Sequence, residues 1–269
     1  MTSSKDKIIR DSVKERYGEI ARHDQGENQP QSSCCGGNTI DAFDLILPKI
    51  QSSLMGYSDE ELASVPDGAN LGLGCGNPQA IAALKPGEVV LDLGSGAGFD
   101  SFLAARQIGN EGKVIGIDMT PDMIKKAREN AEKGSYSNVE FRQGEIEKLP
   151  VEDSSIDVIL SNCVINLSPD KPAVFKEAYR VLKPGGRLAI SDMVASAVMP
   201  AEIREDLNLH SACVSGALLV EDLNQILVEA GYKNIQINPK DESREFIKKW
   251  TPGIPIEDFV LSATIEATK

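Results

Sequence analysis

The 269 residues predict an α/β fold, a doubly wound and mainly parallel sheet with helices on both faces and a smaller α+β part toward the carboxyl end. Three observations predict it. After Pro86, short apolar runs near 88–93, 113–117, 138–142, 156–161 and 187–192 alternate with helical stretches near 99–109, 121–133 and 171–182, which is βαβ repetition. The first of these runs, VVLDL, passes directly into the glycine-rich turn GSGAG and then a helix. Beyond Asp192 the alternation lapses: helices are expected near 200–210 and 220–230, and strand-like runs at 232–237 and 259–264. Right-handed crossovers then place the ligand crevice at the carboxyl ends of the strands, where strand order reverses.

Ahead of the sheet, Ile9, Val13, Tyr17 and Ile20 recur at helical spacing, so residues 5–24 predict an amphipathic helix laid against a larger body. The segment 25–38 contains GENQPQSSCCGGN, polar and rich in Gly and Ser, and reads as a mobile loop carrying the adjacent Cys34 and Cys35. Helical signals between 40 and 65 are weaker, but Ser58 followed by Asp59, Glu60 and Glu61 marks a helix start. LGLGCGNP at 71–78 is turn-rich and leads into a short helix ending near residue 84.

Composition narrows the partners. Lys and Arg number 28 against 41 Asp plus Glu, and a net charge of −13 without basic clusters repels nucleic acid and anionic lipid. The amino-terminal stretch has no apolar core of signal-peptide length, and no later run reaches the ~20 apolar residues of a membrane span. A cytoplasmic protein with a small-molecule substrate is expected. Five cysteines, an odd number without a secretory signal, read as free thiols.

In VVLDLGSGAGF, Asp92 stands two residues before Gly94, and the turn continues through Ser95 and Gly96 to Gly98. Glycines there let the backbone approach a ligand closely. The dinucleotide pattern G-x-G-x-x-G needs glycine at 99, where the chain has Phe99. Asp118 ends the second strand, KVIGID, about twenty residues beyond the turn, where a carboxylate accepts both hydroxyls of a ribose. The competing reading makes it a cap for the helix beginning at Pro121. The spacing G-x-G-x-G after Asp92 resembles the first motif of the class I S-adenosylmethionine-dependent methyltransferases. That resemblance implies their Rossmann-like sheet over about residues 85–192 and S-adenosylmethionine as methyl donor. It also implies that Met119 lies on the adenine and that Glu145 and the backbone of Ile146, in GEIEKLP, meet the adenine amino group, with Glu where Asp is more usual. Asn162 exits the fourth strand at the same crevice, and YRVLKPGGRLAISD matches the class's next helix, turn and fifth strand.

The acceptor is decided outside that motif. Oxygen and carbon acceptors usually need a base, and His is the commonest. Only His23 and His210 are present; the first reads as solvated, the second as a packed residue three positions before Cys213. Cys75 lies in the LGLGCGN turn, Cys163 follows Asn162, and Cys213 sits on a helix of the carboxyl-terminal part. Each alone reads as a small apolar residue. Without any C-x-x-C pair a zinc ribbon is unsupported, whereas three thiols from distant segments at one crevice suit a soft trivalent ion.

With SSCCGGN, LGLGCGNP, LDLGSGAGFD, GEIEKLP, SNCVINLSPDK and HSACVSGAL the chain resembles the arsenite methyltransferases over most of its length. The resemblance implies that Cys163 and Cys213 hold arsenic(III), that Cys75 is the third thiol, and that Cys34 or Cys35 relays disulfide exchange. The vicinal pair departs from that family's single relay cysteine. It further implies attack by the arsenic lone pair on the sulfonium methyl without a general base, and restoration of the thiols by a small thiol or thioredoxin. On this reading 1–70 form the amino-terminal helix, cysteine loop and lead-in, 71–193 the cofactor-binding core, and 194–269 complete the sheet and the arsenic site. Two alternatives stay open: an O- or C-methyltransferase of a small organic acceptor with inert cysteines, and a thiol protein that binds metalloid without turnover.

Overall fold

The alternating apolar runs are buried on both sides because helices cover both faces of one sheet. The computed structural model describes residues 4–23, 42–251 and 253–269. The loop 25–38 with Cys34 and Cys35, and the side chain of His23, lie outside the described residues. Eight strands form the sheet: β1 (Val89–Leu93), β2 (Lys113–Asp118), β3 (Val139–Gln143), β4 (Ile156–Asn162), β5 (Leu182–Ala195), β6 (Leu218–Leu219), β7 (Lys233–Lys240) and β8 (Val260–Thr268). Their order is β3-β2-β1-β4-β5-β8-β7, with the two-residue β6 on β5. β1 to β5 run parallel. β8 enters antiparallel to β5, and β7 antiparallel to β8. Strand order reverses between β1 and β4, so the crevice opens above that pair.

Eleven α-helices are described: α1 (Ser4–His23), α2 (Ala42–Leu54), α3 (Asp59–Ala63), α4 (Gln79–Ala82), α5 (Phe99–Ile108), α6 (Pro121–Lys133), α7 (Lys171–Val181), α8 (Ala201–Arg204), α9 (Leu207–Ser211), α10 (Val220–Ala230) and α11 (Arg244–Ile247). α5, α6 and α7 are the crossovers, and fully buried Phe102 on α5 and Phe175 on α7 anchor two of them to the sheet. The start of α3 is the capping box that Ser58 announced: its hydroxyl accepts from Glu61 N–H at 3.2 Å and the Glu61 carboxylate accepts from Ser58 N–H at 2.7 Å. α1 packs across α6 and α9, with Val13 buried and Arg16 donating to the Asn208 carbonyl at 3.1 Å.

The structure departs from expectation where pairing, not local pattern, sets the boundaries. β5 is longer than 187–192 because it pairs with β8 from Arg187–Thr268 to Ala195–Val260. At its start Ile156 faces Leu182 but Val158 faces Arg187, so residues 184–186 bulge out. The helix expected at 200–210 is two short ones, because Asp206 accepts from Asn208 N–H and Leu209 N–H and starts α9 afresh. β7 carries Pro239, which the sheet edge tolerates.

Candidate active site

At the exit of β1 the chain folds back over the strand ends through the glycine turn. Gly94 has φ +66° and a side chain there would meet Val164 Cγ2 at 2.3 Å, so only glycine lets this turn lie against the residue that follows Cys163. Gly98 acts differently, since its missing side chain makes room for the rings of Phe102 and Phe141 at the start of α5, and it does not line the crevice. The crevice encloses about 1040 Å³ including its mouth, and Asp92, Gly94, Ser95, Gly96, Asp118, Met119, Ile146 and Asn162 all line it. Two features of its wall fit a bound ligand. Ser95 Oγ is buried without a hydrogen-bond partner among the described residues, and a side chain at Gly96 would meet only open space.

Asp118 ends β2 in the crevice wall. Its carboxylate accepts from Gly96 N–H at 3.0 Å and Thr120 N–H at 2.8 Å, one on each oxygen, tying the glycine turn to the head of α6. Burial raises its carboxyl above the usual range, opposed by those two N–H groups. Burial also raises Asp92 well above the usual range, with the neighbouring Asp100 adding to it, although Ser101 Oγ donates at 2.6 Å. Glu145 is turned away from the crevice wall, toward Lys14 at 3.4 Å and Arg10 at 3.9 Å on α1. Glu147, two residues on, lines the crevice instead and accepts from Arg10 at 3.0 Å and Ser168 Oγ at 2.6 Å. Arg10, Val13 and Tyr17 of α1 also line it, which the amphipathic pattern of that helix gave no means of assigning.

The three described cysteines converge at the same place. Cys75, Cys163 and Cys213 are buried in one cluster with Met119 and Tyr17 packed against it. Asn162 is the bracket: its carbonyl accepts from Cys75 N–H at 3.1 Å, and its amide donates to the Gly76 carbonyl at 2.8 Å and Tyr57 Oη at 3.0 Å. The strand-end residue thereby holds the Cys75 turn over β4. Cys163 takes a left-handed φ of +59° as the chain leaves β4, and its N–H donates to the Ser191 carbonyl at 2.8 Å. Cys213, at φ +62°, points its thiol at the Cys163 carbonyl, 2.6 Å away. Burial pushes the Cys163 thiol well above its usual range, and the adjoining Cys213 and Cys75 thiols push it further. Burial likewise raises Cys75, which the Cys163 thiol opposes. Among the described residues these thiols are free.

A polar bracket backs the cluster. Asp192, at 2% exposure, accepts from Met193 N–H at 2.8 Å, Ile165 N–H at 2.9 Å and the Asn166 amide at 2.9 Å. Asn166 also donates to the Met193 carbonyl at 2.6 Å and the Cys213 carbonyl at 3.5 Å, so it ties the Cys163 and Cys213 turns together. Burial raises the Asp192 carboxyl to about 6, opposed by its backbone donors and by Lys171. A carboxylate oxygen of Asp192 and the sulfurs of Cys75 and Cys163 all lie within 4.8 Å of one another. His210 is packed, its Nε2 3.2 Å from the Leu167 carbonyl, and burial lowers its pKa. Asn166 and Asp192 had no local sequence signal beyond the position of Asp192 at a strand end.

Sheet order, glycine turn and crevice together define the class I methyltransferase fold. A methyltransferase-domain family model matches residues 84–231. The chain is 51% identical over 266 residues to the arsenite methyltransferase of Halobacterium salinarum, covering 97% of this chain and 66% of that protein. It is 37% identical to that of Aquipseudomonas alcaligenes, covering 83% of this chain and 62% of that one. This chain thus spans just under two-thirds of the length of these curated relatives. Among solved structures, the arsenic (III) S-adenosylmethionine methyltransferase of Chlamydomonas reinhardtii superposes with a TM-score of 0.62 at 34% identity, covering 82% of this chain and 73% of that one. The chain belongs to the arsenite methyltransferase family.

Proposed function

We propose that this protein transfers a methyl group to arsenic(III) held by the thiols of Cys75, Cys163 and Cys213. One observation carries the proposal: three cysteines 50 or more residues apart along the chain meet in a buried cluster beside the glycine-turn crevice. A soft trivalent ion favours thiolate donors, and three of them leave the arsenic lone pair free. Bound in the crevice, S-adenosylmethionine supplies the electrophilic methyl. In this reading Asp118 accepts from its ribose hydroxyls, Met119 and Ile146 flank its adenine, and Asp92, Ser95 and Asn162 orient its amino acid end; all of them line the crevice. Cys163 itself lines the crevice, next to Val164 on which the glycine turn lies. No proton needs removing from arsenic, so the two histidines are not required. Positioning of this kind contributes about 7–11 kcal/mol when reacting atoms are held in line.

Methylation raises arsenic formally from +3 to +5. Return to +3 takes two electrons from two thiols that close to a disulfide; in this reading Cys34 or Cys35 relays that exchange, and an external small thiol or thioredoxin restores the pair. In this reading 1–70 are the amino-terminal helix, cysteine loop and lead-in, 71–193 bind the methyl donor, and 194–269 contribute Cys213 to the arsenic site and complete the sheet. No described helix is long and apolar enough to cross a membrane. The reading places the protein in the cytoplasm, with arsenite or its thiol conjugate as substrate.

The test is purified protein with arsenite, S-adenosylmethionine and a thiol, followed by arsenic speciation over time. Methylated arsenic accumulating in proportion to protein is the expected result. Arsenite bound but recovered unmethylated, with methyl donor and reductant present, contradicts it.

A further inference from the structure

Methyl transfer to arsenic moves a charge, and the buried carboxylates stand on both sides of that move. Arsenic(III) with three thiolates is neutral. When its lone pair forms the As–C bond, the electron pair of the breaking C–S bond stays on the departing sulfur, and the sulfonium's positive charge ends on arsenic. Interactions that favour the charge at the start hold the reaction back, and those that favour it at the end speed it. Asp92, Asp100 and Asp118 line the cofactor crevice and face the starting position. Asp192 is absent from that wall and lines a separate small space with Asn166 and Lys171. Its carboxylate nevertheless lies within 4.8 Å of the sulfurs of Cys75 and Cys163.

The Asp192 carboxylate is fixed in place by its donors, which work against the burial around it. Three N–H donors converge on it, from Met193, Ile165 and Asn166, and it is buried. Fixed and dry, such a group needs no reorganisation as charge develops and acts through a low local dielectric. The Lys171 ammonium opposes it. Lys171 is buried close enough to be influenced by both Asp192 and Cys213, yet its ammonium donates to the Ser168 carbonyl at 3.0 Å rather than to the carboxylate.

We propose that Asp192 stabilises the positive charge that develops on thiol-bound arsenic during methyl transfer, with Lys171 setting a partial counterweight. The inference rests on the arsenic-methylation reading above. It makes Asp192 a group that acts through its field on the thiol site, with no bond to arsenic and no proton to transfer.

The experiment measures single-turnover methyl transfer at saturating arsenite and methyl donor, at pH 8.5, in the full chain and two variants. Equilibrium arsenite affinity is read in parallel from the fluorescence of Trp250, the single tryptophan, which lines a cavity with Cys163 and Cys213. Asp192→Asn is expected to slow the transfer step by about tenfold or more while arsenite affinity stays within about threefold, since the ground-state complex is neutral. Lys171→Met, which leaves the donors to Asp192 in place, is expected to speed the step by about two- to threefold. A transfer rate within twofold of the unmodified chain in Asp192→Asn, or an unchanged or slower rate in Lys171→Met, overturns the inference, as does a loss of arsenite affinity that accounts for the slower rate. Failure of the unmodified chain to methylate arsenic overturns the functional reading itself, so the two failures are separate.

Discussion

The crevice and the thiol cluster share Tyr17, Met119 and Cys163 but are made by different means. The crevice is built from residues close in sequence: a strand ends, glycines turn the chain, a helix begins, and the next strand ends in Asp118, whose carboxylate returns to Gly96. Its chemistry is backbone N–H groups and carboxylates. The thiol cluster is built from residues 50 or more apart, and what brings them together is tertiary: Asn162 clasping the Cys75 turn, Asn166 joining the Cys163 and Cys213 turns, α1 closing over the side. Its surroundings are apolar except for the Asp192, Asn166 and Asn162 side chains that back it. A site assembled from a local motif tolerates variation in the rest of the chain, whereas one assembled from three segments depends on every bracket between them.

The largest expected effect separates the two regions outright. Cys163→Ser or Cys213→Ser is expected to lower arsenic methylation by at least about 100-fold, beyond the roughly 10- to 100-fold that loss of an outer-shell partner costs, with donor affinity by calorimetry unchanged. Asp118→Ala does the converse: losing a charge-assisted acceptor worth about 1.5–3 kcal/mol weakens donor binding roughly 10- to 100-fold while arsenite affinity holds. Gly94→Ala breaks the separation, because its methyl group collides with Val164. Overpacking and a strained backbone cost about 1–3 kcal/mol there, and both ligands are expected to bind more weakly by titration. Donor affinity is also expected to fall as pH drops through the weakly acidic range. Burial raises Asp92 and Asp118, so they take up protons at higher pH than ordinary carboxyls and lose the charge that attracts a cationic ligand. The smallest effect lies away from both regions: Ser58→Ala removes the α3 cap and is expected to cost about 1 kcal/mol of stability in denaturant, with both affinities intact.

The same contrast explains what was legible in the sequence. The parallel strands, their crossover helices and the crevice residues from Asp92 to Asp118 follow from local periodicity and turn chemistry. The three cysteines were visible as thiols from distant segments suited to a soft trivalent ion, and the resemblance gave each of them a role. Asp192, Asn166 and Tyr17 had no such signal, because what places them is the pairing of Asn162 with Ser191 and the packing of α1 on α9. Glu145 and Glu147 illustrate the limit of spacing: both sit in one GEIEKLP loop, but α1 draws the first outward to Lys14 and the crevice keeps the second. The ends of β5 and the break between α8 and α9 were set by a partner strand and by one capping aspartate.

The most direct test of the account is the coordination of arsenic on the protein, read by X-ray absorption at the arsenic edge. Arsenite bound to the full chain is predicted to show three sulfur neighbours and no oxygen, with one sulfur lost in each of Cys75→Ser, Cys163→Ser and Cys213→Ser. Oxygen-ligated arsenic in the unmodified chain, or a sulfur count that Cys163→Ser and Cys213→Ser leave unchanged, would contradict it.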